Sequence, residues 1–258
     1  RIIKINKKKN MNFKKELRKL LDKLGVKKQS NIMIHSNSAG LLQFVKKKYG
    51  YDLFFKILTE RTGSKGSLVV PTYNYDFTKG IPFNKGKSKS QVGDFTNYLL
   101  NKYPKKRTNE PIFSHLVFGR LFNKLNNCKI DEVFGKNSFF ASIEKYRFKI
   151  LCFCCSPAQI TFLHYIEKKL NVTYRFDKNF YGSIKIKKKN KPLKLKYYVG
   201  KKSFNYSLKE NNLLMFLNKQ NFIEEPFGRF LCYSTNTKYL ENIVKKNLKK
   251  NQYFLIEK

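Results

Sequence analysis

The sequence predicts an α/β fold, and two observations carry that prediction. Short runs of strand-forming residues are repeatedly followed by helical spacing, and 41% of the 258 residues are hydrophobic, enough to build a core. The clearest junction is Lys149 to Cys155, an apolar run rich in β-formers, after which Ser156-Pro157 offers an N-cap and a first-turn proline. Beyond it Thr161, His164 and Glu167 recur every three residues and share one helix face, while Ile160, Leu163, Ile166 and Leu170 form an apolar stripe. A hydroxyl, an imidazole and a carboxylate thus gather near a strand's carboxyl end, where α/β proteins place their ligands.

The remaining elements follow in order. Residues 1–10 precede Met11 and are expected to flank the fold, leaving residues 11–258 as one domain. Phe13, Leu17, Leu20, Leu21 and Leu24 keep helical spacing, with Gly25 as the cap. A strand at Asn31 to His35 leads through the small polar turn Ser36 to Gly40 into a helix expected from Leu41 to Gly50. Such a turn leaves backbone N–H groups for a phosphate, although an ordinary βα turn reads the same way in the absence of GxGxxG or GxxxxGK[ST]. A second helix is expected at Leu53 to Arg61, a strand at Ser67 to Tyr73, and a functional loop or lid from Asn74 to Gly93, too long for a passive connection. A helix at Asp94 to Asn101 stops before Pro104, and a short strand follows within Lys105 to Gly119. Phe134 to Phe139 make a turn and helix start. Alternation at Ser183–Ile186 and Leu193–Val199 around KKKNKP indicates a hairpin; helices at Leu208–Leu217 and Thr237–Leu248 and a strand at Tyr253–Ile256 close the chain.

Lysine and arginine number 55 against 17 acidic residues, a formal charge of +38. That excess suits an anionic partner, and it is also what an AT-rich coding sequence produces on a solvated surface. Five cysteines, at 128, 152, 154, 155 and 232, show no metal-ligand spacing and read as buried thiols in a reduced compartment. No apolar run approaches the ~20 residues of a membrane span and no signal-peptide core is visible, so a cytoplasmic protein is expected.

Only three histidines occur, His35, His115 and His164, each at a strand end or on the helix after one. No HExxH motif or cysteine cluster adds ligands to them, so no metal is expected. No GxSxG elbow marks a serine nucleophile. Imidazole oriented by carboxylate is the remaining chemistry, a general base.

Five spaced stretches resemble the aminoglycoside 3-N-acetyltransferase family: NIMIHSNSAGL, GSLVVPTYNYDF, RTNEPIFSHLVFG, FGKNSFF, and ITFLHYIE followed by TYR. Their order and spacing hold over most of residues 13 to 258. The resemblance implies a central mixed sheet flanked by helices, distinct from the commoner acetyltransferase fold, and acetyl transfer from acetyl-CoA to a primary amine of an amino sugar or aminoglycoside. It implies that His35, Ser36, Asn37 and Ser38 meet the CoA phosphates, that Arg107, Thr108 and Ser114 lie along the CoA arm, and that Tyr73, Asp76 and Arg175 contact the acceptor. His164 with Glu167, or His115 with Glu110, would supply the base. Glu110 stands where the family often has histidine, Phe139 where it has proline, and a histidine common upstream of that position has no counterpart near Cys128 to Glu132.

Aminoglycosides are polycations, and capturing them calls for carboxylates that this chain has few of. A phosphate- or nucleotide-linked amino sugar is therefore the expected acceptor, and nucleic acid is not an expected partner. The alternatives are a polyanion (RNA) binder, which leaves the five motifs unexplained, and a family member that has lost catalysis.

Overall fold

The computed structural model describes residues 2–186, 189–203 and 208–256. Six strands form the central sheet: β1 (Asn31–Ser36), β2 (Ser67–Pro71), β3 (His115–Gly119), β4 (Lys149–Phe153), β7 (Phe222–Phe227) and β8 (Phe230–Asn236). Their order is β3-β2-β1-β4-β8-β7. β1 runs parallel to both β2 and β4, while β3, β8 and β7 join antiparallel. The sheet is mixed, as expected. A separate ribbon pairs β5 (Arg175–Ile186) with β6 (Lys189–Gly200).

Strand alternation sends successive side chains to opposite faces, and both faces are buried. Ile32, Ile34, Leu68, Val70, Leu151 and Phe153 pack on one side with helices α1 (Ile2–Lys23), α3 (Lys47–Thr62) and α4 (Asp94–Lys102). Met33, Val69, Val117, Ile150 and Cys152 face the other way. There they meet α6 (Phe139–Lys145), α7 (Phe162–Lys169) and α9 (Thr237–Lys250). The apolar stripe of α1 is buried from Phe13 through Leu24, and Gly25 ends the helix at φ 65, a left-handed cap. The helix itself begins upstream of Met11.

Several boundaries differ from expectation for local reasons. The helix expected from Leu41 to Gly50 is a single turn, α2 (Ala39–Leu42), followed by α3, which runs straight through Gly50. A Cβ on Gly50 would come within 2.8 Å of Val45, so this glycine permits close packing and does not stop a helix. Ser156 and Pro157 begin a 3-10 turn, Pro157–Gln159, and α7 starts only at Phe162. α5 (Phe122–Asn126) and the β7–β8 hairpin were not foreseen, and α8 (Glu210–Leu214) is shorter than the expected helix. Tyr253–Ile256 forms turns ending in an isolated bridge to Leu208, not a strand. The expected ribbon starts earlier, at Arg175, and the pairing of Ile186 with Lys189 puts its tip at 187–188, outside the described residues. Among the described residues, no helix is long and apolar enough to cross a membrane.

Candidate active site

The chain passes from β1 outward to β2 on one side, and β4 returns on the other side of β1. Loops leaving the carboxyl ends of β1 and β4 therefore diverge, which opens a crevice between them. A cleft of ≈ 1120 Å³ lies there. His35, Ser36, Asn37 and Ser38 line it from the end of β1, and Cys154, Cys155 and Ser156 from the end of β4. Tyr73 enters after β2, Gln91 to Asp94 close one rim, and Thr161 and His164 enter from α7.

His164 is the histidine best presented to this space. Its Nδ1 lies 2.7 Å from Glu167 Oε2, and its side chain retains 25% exposure. Glu167 is fully buried; it also accepts from the Tyr174 hydroxyl at 2.8 Å and forms an ion pair with Arg175, whose Nε lies 2.8 Å from Oε2. Burial works to raise its pKa, but His164, Arg175 and Tyr174 together outweigh that and hold the carboxyl below its ordinary value. With Nδ1 committed to Glu167, Nε2 is the ring nitrogen left for a ligand. Arg175, expected at the acceptor, thus stands behind Glu167 and does not line the cleft.

His115 has a different environment. It is fully buried, stacked on Phe139 with ring centroids 4.0 Å apart at 6°, and its Nε2 lies 3.2 Å from the Tyr73 hydroxyl. The phenylalanine that stands in place of the family's proline thus covers this imidazole. Burial first, then the nearby His35, pushes the His115 pKa well down. His35 itself is held to about 4 by burial, so at neutral pH it is an uncharged imidazole on the cleft floor. It offers no cation to a phosphate.

The β1 turn also differs from a free anion cradle. Ala39 N–H donates to Asn37 Oδ1 at 3.0 Å, Gly40 N–H to the Asn37 carbonyl at 3.2 Å, and Leu41 N–H to the Ser38 carbonyl at 3.0 Å. The donors expected to be open at the start of α2 are occupied. Gly40 is required for packing here, since a Cβ would stand 2.2 Å from Cys154 Sγ.

Arg107, Thr108 and Ser114 do not line the cleft. Arg107 is fully buried; its guanidinium donates to Ser114 Oγ at 2.9 Å, to the Thr72 carbonyl at 2.6 Å, and to the carbonyls of Lys85 and Ser88. It stacks over Phe83 at 4.7 Å, and burial lowers its pKa to about 10. This residue fastens the 74–93 loop to the sheet. Thr108 pairs with His115 through backbone and hydroxyl, and Ser114 donates to the Thr72 carbonyl. Asp76 is bound by Asn74 at 3.1 Å and Gln91 at 2.9 Å.

Glu110 is buried beneath Phe113, where Ile112 N–H and the Tyr197 hydroxyl donate to Oε1 and Phe113 N–H to Oε2. Burial pushes its pKa from 4.5 up to about 7, against the pull of those donors. The folded state therefore holds this proton more tightly than the unfolded chain. Its contribution to stability is full below pH ~4.5 and is lost as pH rises to ~7, up to about 3 kcal/mol across that window. Denaturation of the wild type and Glu110→Gln across pH 4.5 to 8 checks this; a wild-type profile no steeper than the variant's contradicts it.

All five cysteines are free. Cys154 lies with its Sγ 3.5 Å from Cys232 Sγ, and that contact together with burial holds its thiol far above the ordinary range, unsuited to acting as a nucleophile. Among the described residues, no group of three or more His, Cys, Asp or Glu side chains could hold a metal ion.

The family model for aminoglycoside 3-N-acetyltransferases matches residues 33–246. The chain belongs to this family. Its members are N-acyltransferases, and solved structures share the fold. YokD protein from Bacillus subtilis aligns at 17% identity over 93% of this chain and 94% of that one, with a TM-score of 0.77. AAC-IIIb, solved as a binary complex with CoASH, aligns at 14% identity over 92% and 96%, with a TM-score of 0.77. Aminoglycoside acetyltransferase AAC(3)-IVa aligns at 17% over 95% and 91%, with a TM-score of 0.73. A search of curated proteins gave no match. Of the site residues expected from the aminoglycoside 3-N-acetyltransferase motifs, the β1 turn, Tyr73 and His164 meet in one cleft, and the rest do not line it. The wall residues Gln159, Thr96 and Gln91 to Asp94 carried no individual signal; only the length of the 74–93 loop pointed toward its end.

Proposed function

We propose that this aminoglycoside 3-N-acetyltransferase family member transfers the acetyl group of acetyl-CoA to a primary amine of an amino sugar in the β1–β4 cleft, with His164 as general base. The observation that carries this reading is the His164–Glu167 pair: a solvent-reaching imidazole whose inner nitrogen is fixed by a buried, charged carboxylate. His164 Nε2 takes a proton from the acceptor ammonium, and the free amine attacks the thioester carbonyl. The tetrahedral oxyanion collapses, the C–S bond breaks, the departing CoA thiolate takes the second proton from the acylated nitrogen, and the imidazolium releases the first to solvent. Glu167 stabilises the imidazolium formed in between. His115, fully buried and held neutral, positions Tyr73 on the cleft floor and does not reach the amine. In this reading Arg107, Thr108 and Ser114 shape the CoA side from behind.

Acetyl-CoA binding is the direct test. At a hundred times a micromolar dissociation constant, linkage stabilises the folded state by about 2.7 kcal/mol. An upward melting shift with acetyl-CoA, and thiol release once an amino sugar is added, are the expected results; absence of both refutes the reading.

A further inference from the structure

Among the described residues, each carboxylate on or near the cleft already has a partner, and this bears on the acceptor. Asp94 is the one acidic side chain among the described residues of the cleft wall, and Lys47 pairs with its Oδ2 at 2.7 Å on the exposed rim. Glu167 lies behind His164, where Arg175 matches its charge and Tyr174 fills a further oxygen. Asp76 spends its two oxygens on Asn74 and Gln91. Glu110 is sealed under Phe113 with three donors on it. Apart from His164, the rest of the polar lining is neutral near pH 7: serine, threonine, asparagine, glutamine, tyrosine and the His35 imidazole.

A ligand with several ammonium groups loses water from each as it enters a cleft, and each loss must be repaid by a carboxylate or an equivalent acceptor. This cleft repays one, the ammonium that gives its proton to His164. The surrounding protein adds a field of the wrong sign, since the whole chain carries a formal charge of +38. The same field draws in an anion, which stays at the cleft mouth because no lysine or arginine is among the described residues lining the cleft, and neutral hydroxyls and amides suit a sugar.

We infer that the acceptor is an amino sugar whose reacting amine is its only cation and whose remainder is anionic, of the nucleotide-linked kind. This rests on the acetyl-transfer reading above. Specificity is set by the scarcity of carboxylates among the described residues of the cleft wall, so adding one shifts it. Gln159, exposed on the cleft wall, is the position for that change.

The experiment measures kcat/KM by thiol release for UDP-glucosamine, glucosamine and kanamycin at low and at moderate salt, after acetyl-CoA binding has been established by melting shift. UDP-glucosamine is expected to exceed kanamycin by about tenfold or more at low salt. Added salt lowers the first value and raises the second. In Gln159→Glu the gap between them narrows. A kanamycin value above that of UDP-glucosamine at low salt overturns the inference while leaving acetyl transfer intact. If acetyl-CoA binds and no acceptor turns over, the same melting assay decides: a larger shift with kanamycin than with UDP-glucosamine overturns the inference, and the reverse supports it. If acetyl-CoA produces no shift, acetyl transfer itself fails, and the inference falls with it.

Discussion

His164→Ala is expected to lower kcat by about 10²- to 10⁴-fold, the usual contribution of a positioned base, while the melting shift given by acetyl-CoA stays as in the wild type. The separation follows from where the residue sits. His164 reaches the cleft from the first turns of α7, whereas the β1 turn and the Gln91–Asp94 rim form other parts of the wall. Removing the imidazole leaves Glu167 with Tyr174 and Arg175, so the buried charge is still compensated and the fold is retained. Glu167→Gln should cost less than His164→Ala, because the base remains and loses only its orientation and the charge that stabilises imidazolium. Steady-state thiol release with each variant, beside acetyl-CoA melting shifts, separates chemistry from binding. Wild-type kcat in His164→Ala would remove the residue from catalysis.

The largest effect on stability is expected at Arg107. Replacement by alanine strips the donor from the carbonyls of Thr72, Lys85 and Ser88 and from the Ser114 hydroxyl, and leaves a void beside Phe83. Unsatisfied buried acceptors cost about 1–3 kcal/mol each, partly relieved by water, so a total loss of about 3–5 kcal/mol is expected. Lysine restores little, because a single ammonium cannot reproduce a planar fork that bonds in several directions at once. The 74–93 loop is released as well, and its end supplies Gln91 to Gly93 to the cleft. The Michaelis constant for a cleft ligand should therefore rise with the loss of stability. Urea denaturation reads the first effect and saturation kinetics the second. A stability loss below about 1 kcal/mol would show that the guanidinium is not the brace its contacts describe.

What the sequence disclosed follows the range of the forces involved. The strands of the sheet centre, α1 and α9 were legible because apolar spacing is a local record of burial. So was the i, i+3 meeting of His164 with Glu167, which helix geometry alone dictates. The β7–β8 hairpin escaped notice because Glu224, Glu225 and Pro226 break up its apolar pattern; Pro226 is tolerated on an edge strand. Gly50 was misread because a glycine that stops a helix and one that admits a neighbour look the same in sequence. Arg107 is the clearest limit. Its motif marks it as important, but only the tertiary fold shows its donors turned toward backbone carbonyls and away from the cleft.

The register of the sheet centre bears on when the site comes into being. His35 faces Cys152 across the β1–β4 pairing, so the cleft joins segments far apart in the chain, with β2, β3 and five α-helices lying between them in sequence. Such a contact forms only after a long loop has closed, which places it among the later events of folding. The parts of the site that are local, the His164–Glu167 pair above all, exist as soon as α7 is helical. The cavity they serve does not. A refolding chain therefore owns its base before it owns anywhere to bind a substrate, and recovery of activity is tied to the docking of β4 against β1.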